Sequence, residues 1–198
     1  MVKTIHLVRH GHHALITGVL CGRTPGVELD ELGCRQMSIC ADRFRAKPCA
    51  IQSSPQRRAQ QSAGILGWHL RLPVEIVAAV DELDCGDWTG RSFDELAEDP
   101  DWQRWNSHRA TSRPPNGESM ICLQRRMVQH IEQLRVECGD GAILIVSHAE
   151  PIRAALLYYA NIPLDDFLSV AVDPASVSTL SIDRSGMRIS RINQRVDP

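Results

Sequence analysis

The segment TIHLVRHG, residues 4–11, decides the fold of this chain of 198 residues. Aliphatic and β-branched side chains dominate residues 4–8, and the run ends abruptly at Arg9, His10 and Gly11. A short apolar run that stops at a glycine predicts a buried strand leading into a loop. His10 is therefore expected at the carboxyl end of a strand.

A second segment has the same arrangement. Residues 142–146 are continuously aliphatic, Ser147 and His148 follow, and Pro151 predicts the first turn of a helix. His148 therefore shares the context of His10. The other predicted elements are strands at 50–52, 74–80, 168–172, 177–182 and 187–192, and helices at 30–45, 54–67, 92–105 and 117–138.

Strands that alternate with helices favour a single three-layer α/β/α domain, in which helices cover both faces of a mostly parallel sheet with an antiparallel edge. A hydrophobic content of 43% suffices for an ordinary core. The formal net charge of -2 argues against general binding to nucleic acid or to an anionic membrane. The apolar runs fall far short of the ~20 residues of a membrane span. No secretory signal is evident, so a cytoplasmic location is expected.

Neither the cysteines nor the histidines indicate a metal site. The seven cysteines are odd in number and none form a C-x-x-C pair, which fits neither a disulfide framework nor a thiolate zinc site. His10, His12 and His13 form an H-x-H-H pattern, but no carboxylate or thiolate stands at ligand spacing from them. We therefore predict neither a metal nor another cofactor.

Three predicted strand ends carry polar groups: Arg9 with His10, Ser53-Ser54 with Arg58, and Ser147 with His148. Because ligands of open α/β sheets bind beyond the carboxyl ends of the strands, these groups are expected to converge. Guanidinium forks bind phosphate oxygens in pairs, and imidazole can attack or donate a proton. The set therefore predicts a site for a tetrahedral dianion.

These residues and several further blocks resemble the histidine phosphatase superfamily, often called phosphoglycerate-mutase-like. The resemblance extends along the chain, and the order of the blocks makes it specific. The blocks are LVRHG at 7–11, GRTPG at 22–26, LGCRQ at 32–36, SSPQRRA at 53–59, ELDCGDWTG at 82–90, GES at 117–119 and SHA at 147–149.

The resemblance implies a phosphoglycerate-mutase-like fold and a metal-independent phosphatase that hydrolyses a small phosphorylated metabolite through a covalent phosphohistidine. His10 corresponds to the nucleophile, and Arg9 and Arg58 correspond to the clamp on the phosphoryl oxygens. His148 is similar to the second histidine, which donates to the phosphoryl group. Glu82 corresponds to the general acid, and its pKa must be raised by burial and substrate charge if it is to protonate the leaving alkoxide.

One position departs from the family pattern. Many relatives carry an Asn six residues after the nucleophile to hold the phosphoryl group, whereas this chain has Ile16. The phosphate ligand is therefore expected to be either missing or supplied by Thr17 or Arg23. Ser119 and Ala149 are further candidates for substrate binding, although Ser119 is equally suited to cap the helix that follows it.

The segment around residues 90–117 is expected to be a cap-like insertion within one domain that covers residues 1–198. Trp102, Trp105 and Arg109 lie in this segment and are candidates for substrate contact. Packing of its aromatic residues against the sheet is an equal alternative. The identity of the substrate does not follow from the fold, and the oligomeric state is not readable from the sequence.

Two other functions fit the same residues. A phosphomutase keeps the phosphorylated enzyme from water until an acceptor hydroxyl arrives, but this chain lacks the long insertion of the glycolytic mutases. A non-catalytic phospho-ligand-binding module would recognise a phosphate without turnover, but here the residues implied in catalysis are all present.

Overall fold

The computed structural model describes residues 3–44, 48–137, 141–183 and 186–195. Within them, the strands are β1 Lys3–Arg9, β2 Ala50–Ser53, β3 Val74–Ile76, β4 Ala142–Ser147, β5 Val177–Asp183 and β6 Gly186–Gln194. The helices are α1 Glu31–Ala41, α2 Arg57–Leu70, α3 Phe93–Ala97, α4 Pro100–Ser107, α5 Met120–Glu137 and α6 Ala149–Ala160. Short 3₁₀ segments occur at Ala78–Val80, Gly86–Trp88 and Leu164–Ser169.

The strands form one sheet in the order β3-β2-β4-β1-β5-β6. The pairings of β1 with β4, β4 with β2 and β2 with β3 are parallel, whereas β5 and β6 form an antiparallel edge. Alternate side chains of the central strands enter two separate cores. Leu7 and Ile145 pack with α5 and α6, whereas Val8 and Leu144 pack with α1 and α2. The predicted three-layer α/β/α fold, with its mostly parallel sheet and antiparallel edge, is confirmed.

The predicted strand at residues 168–172 is wrong. Leu168 belongs to a 3₁₀ segment, and the chain from Val170 to Val172 has no strand structure. The carbonyl oxygens of Val170 and Val172 accept hydrogen bonds from the side chains of Arg153 and Arg9, both at 2.7 Å, instead of from a neighbouring strand. A short buried apolar run cannot be distinguished from a strand by its pattern alone.

Two other elements are shorter than predicted, because the chain turns inside the predicted range. The strand predicted at 74–80 ends at Ile76 and continues as a 3₁₀ segment. The helix predicted at 92–105 begins with the expected capping box of Ser92 and Glu95, but it breaks before Pro100, which starts α4. Residues 45 and 138, at the ends of two predicted helices, lie outside the described residues.

The loop after β1 lies directly against the first turn of α1. A Cβ atom on Gly33 would stand 2.1 Å from the carbonyl oxygen of His12, and one on Gly11 would stand 2.6 Å from that of Gly33. Asp30 caps α1 by accepting from the backbone N–H of Gly33 at 2.9 Å. Glycine at both positions therefore allows the close approach that fixes the loop holding His10.

Candidate active site

The two predicted catalytic histidines follow paired strand ends. Arg9, the last residue of β1, is the register partner of Ser147, the last residue of β4. The backbone N–H of His10 donates to the carbonyl of Ser147 at 3.0 Å. The ring centroids of His10 and His148 consequently lie 5.0 Å apart, and both rings are buried.

Arg58 reaches the same place from a third strand end. It lies in the first turn of α2, which follows β2, and only 1% of its surface is exposed. Its Nε donates to Nε2 of His10 at 3.3 Å, and its Nη2 donates to the carbonyl of Gly22 at 2.8 Å. Arg9 donates from Nη1 to Val172, which holds its guanidinium beside His10.

Glu82 completes the group. Its Oε2 lies 3.8 Å from Nη2 of Arg58 and 3.7 Å from Nδ1 of His148. Its carbonyl oxygen accepts from Nε of Arg23 at 2.9 Å and from Nη2 of Arg126 at 3.0 Å. Two cationic side chains thus fix the backbone of the predicted general acid.

Arg9, His10, Arg58 and Glu82 border a small cavity of about 110 Å³, whereas His148 lies beside His10 but does not line the cavity. A buried water needs roughly 10–15 Å³ of such volume, so the cavity accommodates a group of several heavy atoms, such as a phosphoryl ester. The residues that line it are Arg9, His10, His13, Ile16, Val19, Leu20, Cys21, Gly22, Arg58, Glu82, Cys85, Phe93, Ala149 and Glu150.

The environment of His10 favours a neutral ring with a defined tautomer. Burial, together with the positive charges of Arg58 and Arg9, lowers its pKa well below the ordinary value. Nδ1 lies 2.8 Å from the carbonyl oxygen of Gly11, which cannot donate, so Nδ1 carries the hydrogen. Nε2 therefore carries the lone pair, which accepts from Nε of Arg58 and is the one that can attack a phosphorus atom.

Glu82 has the opposite shift. Burial raises its pKa to about 7, because the loss of hydration outweighs the attraction of Arg58. A carboxyl group with such a pKa is partly protonated at neutral pH and can donate a proton to a leaving group.

A hydrogen-bond chain fixes the second histidine. Nε2 of His148 lies 2.8 Å from the hydroxyl oxygen of Ser54, and that hydroxyl donates to Oδ1 of Asp81 at 2.9 Å. Because Ser54 has given its hydrogen to Asp81, it accepts from Nε2–H of His148. Burial and the positive charge of Arg58 lower the pKa of His148. The other ring nitrogen, Nδ1, lies 3.7 Å from Oε2 of Glu82.

This role of Ser54 differs from the one expected from sequence. Ser54 was a predicted start of α2, but that helix begins at Arg57 and its N-cap is Gln56, which makes no side-chain capping bond. The hydroxyl of Ser54 serves His148 and Asp81 instead. A serine before a proline is such a common helix start that local sequence gives no signal of the partner, which is 94 positions away.

The candidate substrate-binding residues have different positions. Ala149, the first residue of α6, lines the cavity, where the first backbone N–H groups of a helix favour an anion. Thr17 is exposed, and it is not among the residues that line the cavity. Arg23 is engaged with the carbonyl of Glu82 and with acidic side chains. Ser119 accepts from the backbone N–H of Cys122 at 3.2 Å, near the start of α5.

His12 and His13 have separate environments. Nδ1 of His12 lies 2.5 Å from Oδ2 of Asp30, outside the cavity lining. His13 is buried and lines the cavity, with its ring centroid 5.3 Å from that of His10. Among the described residues, no cluster of three or more His, Cys, Asp or Glu side chains is arranged to hold a metal ion.

The segment around residues 90–117 contacts the cavity through Phe93. Its two tryptophans, Trp102 and Trp105, have ring centroids 5.3 Å apart, and Trp102 lies at the same distance from Trp88, which precedes the segment. The buried guanidinium of Arg109 lies between the rings of Trp105 and Phe167. These aromatic side chains thus pack together, and the tryptophans do not line the cavity.

The chain matches known proteins along almost its whole length. Residues 5–195 match the histidine phosphatase superfamily (branch 1). Phosphoserine phosphatase 1 of Hydrogenobacter thermophilus is 28% identical over 199 residues, which cover 98% of this chain and 92% of that protein. A bifunctional protein of Mycobacterium tuberculosis is 29% identical over 189 residues, which cover 94% of this chain and 52% of that protein. The chain therefore spans about half the length of that relative.

Solved structures share the fold. The structure of a mycobacterial glucosyl-3-phosphoglycerate phosphatase in complex with VO₃ has a TM-score of 0.85 and 25% sequence identity. The alignment covers 96% of this chain and 98% of that one. Since the family match extends over nearly all of the described residues, we conclude that the chain belongs to the histidine phosphatase superfamily (branch 1).

Proposed function

We propose that this protein is a metal-independent phosphatase that hydrolyses a small phosphorylated metabolite through a phosphohistidine on His10. The observation that carries the proposal is the distance of 5.0 Å between the rings of His10 and His148 beside one cavity, with Arg9, Arg58 and Glu82 at its wall. This set supplies a nucleophile, two cations and an acid around one anion-sized space.

The first step transfers the phosphoryl group to His10. Nε2 attacks phosphorus, a P–N bond forms, and the P–O bond to the leaving alkoxide breaks. Glu82 gives its proton to the alkoxide oxygen and becomes a carboxylate. Arg9 and Arg58 neutralise the non-bridging oxygens, so the charge that develops in the transition state is met without a metal.

His148 contributes from beside His10, with its ring centroid 5.0 Å from that of His10. With Nε2–H held by Ser54, its Nδ1 is the atom that can carry a proton toward a phosphoryl oxygen. Burial, followed by the positive charge of Arg58, lowers the pKa of His148 and keeps the ring neutral. A bound dianion offsets the repulsion by the arginines and thereby favours the protonated form.

The second step returns the enzyme to its starting state. Water attacks phosphorus, the P–N bond breaks, and inorganic phosphate leaves. The Glu82 carboxylate takes the proton from the attacking water, which restores the acid for the next cycle.

The cavity supports a small substrate. Beyond the charged residues, its wall consists of apolar side chains, including Ile16, Val19 and Phe93. One relative is named a phosphoserine phosphatase and a similar structure is a glucosyl-3-phosphoglycerate phosphatase, and both names specify small phosphate monoesters. We infer the same class for this chain.

We further propose that residues 90–117 act as a cap over the phosphoryl site within one domain. Phe93 lies at the cavity wall, and Arg109 joins the segment to α6 through Nη1, 3.3 Å from Oε2 of Glu150. Because Glu150 also lines the cavity, this ion pair connects the segment to the site itself.

A cytoplasmic location is also part of the proposal. The six cysteines that the structure describes are free thiols, and three of them, Cys34, Cys49 and Cys122, are exposed. Exposed free thiols are typical of reducing compartments. In the described part of the chain, we find no helix with the length and apolarity to cross a membrane.

The test compares wild type with His10→Ala on an activated aryl phosphate and on a panel of phosphorylated sugars, glycerates, nucleotides and amino acids. We expect His10→Ala to abolish phosphate release and to form no acid-labile phosphoenzyme, whereas the exposed His69→Ala retains full activity. Equal release by His10→Ala would overturn the proposal. A phosphoenzyme that persists until an alcohol acceptor is added would indicate a phosphomutase, and phosphate binding without turnover would indicate a binding module.

A further inference from the structure

His13 belongs to the phosphoryl cavity although the family resemblance assigns it no role. It is 3% exposed, and its ring lies 5.3 Å from that of His10 at an interplanar angle of 34°. The loop that holds it is fixed by the close approach of Gly11 and Gly33 and by the contact of His12 with Asp30. His13 is thus held at the cavity wall before any ligand binds.

Its Nδ1 atom is one of few buried side-chain polar atoms without a hydrogen-bond partner. In the described residues there are seven such atoms, and four of them belong to Arg9, His13, Arg58 and His148. Three of these residues, Arg9, His13 and Arg58, line the cavity. Buried polar atoms normally have partners, so the unpartnered atoms of these three residues indicate that a polar ligand satisfies them. His13 shares this property with three residues that the resemblance places on the phosphoryl group.

The residues expected to replace the family's Asn are poorly placed. Ile16 lines the cavity but has no polar atom, and Thr17 is exposed. The guanidinium of Arg23 lies 3.3 Å from Asp81 and 3.2 Å from Glu118. Ile16 and His13 line the same cavity, and the backbone N–H of Ile16 donates to the carbonyl of His13 at 3.1 Å. His13 is thus a neighbouring lining residue that has an unpartnered buried polar atom.

We propose that His13 is a phosphoryl-binding residue, whose neutral imidazole donates an N–H hydrogen bond to a non-bridging oxygen of the substrate phosphate. This inference rests on the proposed function. Burial and the charges of Arg58 and Arg9 lower the pKa of His13 to about 4, so at neutral pH the ring keeps a single N–H. His13 thus adds a donor to the clamp without adding charge.

The experiment measures inhibition by orthovanadate and by inorganic phosphate, together with kcat and KM, in wild type and three variants. His13→Ala and His13→Phe remove the donor, and Phe preserves much of the ring packing. His13→Asn places an amide donor near the position of Nδ1. The exposed His69→Ala serves as the control.

We expect His13→Ala and His13→Phe to weaken inhibition by both anions and to lower kcat/KM by roughly 10- to 100-fold, as for loss of a hydrogen bond to a charged group. His13→Asn should recover most of this loss. The inference is overturned if the inhibition constants of vanadate and phosphate for both His13→Ala and His13→Phe lie within about twofold of the wild-type values. A twofold change corresponds to RT ln 2, which is less than the energy of a hydrogen bond to a charged group.

The outcomes separate this inference from the function. Release of phosphate that does not depend on His10 would reject the proposed mechanism, and calorimetric binding of phosphate would still test His13. Normal turnover that depends on His10, with unaltered anion binding in the His13 variants, would reject only the inference. Thermal unfolding identifies a variant that fails to fold, and in that case the Asn and Phe variants decide the result.

Discussion

Nε2 of His148 lies 2.8 Å from the hydroxyl oxygen of Ser54, a residue that comes from a different strand end. The same hydroxyl accepts from the backbone N–H of Gln56 at 3.2 Å and donates to Asp81. With one donor and two acceptor positions in use, Ser54 has no freedom to reorient. The tautomer of His148 is therefore fixed by a residue that does not line the cavity.

We predict that Ser54→Ala lowers kcat on the order of 10- to 100-fold, because a buried imidazole N–H left without a partner costs about 1–3 kcal/mol. The ¹⁵N chemical shifts of His148 should show a change of tautomer. Ser176→Ala is the matched control, since Ser176 is equally buried but its hydroxyl has no partner. Unchanged ¹⁵N shifts in Ser54→Ala would contradict a positioning role.

The pH dependence of activity should report Glu82. Its protonated form is the active one and its pKa is raised to about 7, so kcat/KM for an alkyl phosphate should fall as the pH rises through about 7. On the acidic side, activity should fall only when His10 becomes protonated. Because burial lowers the pKa of His10, this fall should occur below the ordinary imidazole pKa. Steady-state pH profiles provide the measurement.

Glu82→Gln should remove the alkaline limb and reduce activity most for poor leaving groups. We expect a loss of roughly 100-fold or more on an alkyl phosphate, in line with the usual contribution of a general acid. The loss should be small on an activated aryl phosphate, whose leaving group needs no proton. Equal losses on both substrates would show that Glu82 acts in another way.

The close packing of α1 against the loop after β1, which holds His10, should make the stability of the fold sensitive to substitution of Gly33. Gly33→Ala places a Cβ atom within 2.1 Å of the carbonyl oxygen of His12, so the backbone must move, and we expect a loss of about 1–3 kcal/mol in the free energy of unfolding. Gly64→Ala is the matched helical control, because its Cβ meets no atom within 4 Å. It should stabilise the protein by about 0.5–1 kcal/mol. Urea denaturation of both variants tests this, and a neutral Gly33→Ala would refute the close approach.

The ion pair between the buried Arg109 and the partly exposed Glu150 should hold residues 90–117 to the rest of the structure. Only 5% of Arg109 is exposed, so Arg109→Ala leaves the carboxylate of Glu150 with the weaker contact to Arg153. We expect a loss of about 1–3 kcal/mol in the free energy of unfolding, measured by thermal or urea denaturation. Arg104→Ala, an exposed residue of α4, should change stability by less than about 0.5 kcal/mol. Similar effects of the two substitutions would contradict this role.

Much of the fold was predictable because its elements have strong local patterns. The aliphatic runs before His10 and His148 are the central parallel pair, β1 and β4, and the polar residues at their ends do lie together. The apolar stripe of α5 enters one of the two cores. By contrast, the apolar pattern at 168–172 wrongly predicted a strand. The carbonyls of Val170 and Val172 accept hydrogen bonds from arginine side chains instead of from a neighbouring strand, and the local sequence does not show this.

The sequence by itself determined the order of strands and helices, the family, and the residues at the carboxyl ends of the strands, since these depend on short-range periodicity and on motifs contiguous in the chain. Only the tertiary structure decided that Ser54 serves His148, that Arg23 holds the backbone of Glu82, and that His13 rather than Thr17 lines the cavity. The physical reason is that burial, pKa and hydrogen-bond partners depend on atoms tens of residues apart in the chain, which are brought within about 3 Å of each other only by packing of the two cores against the sheet.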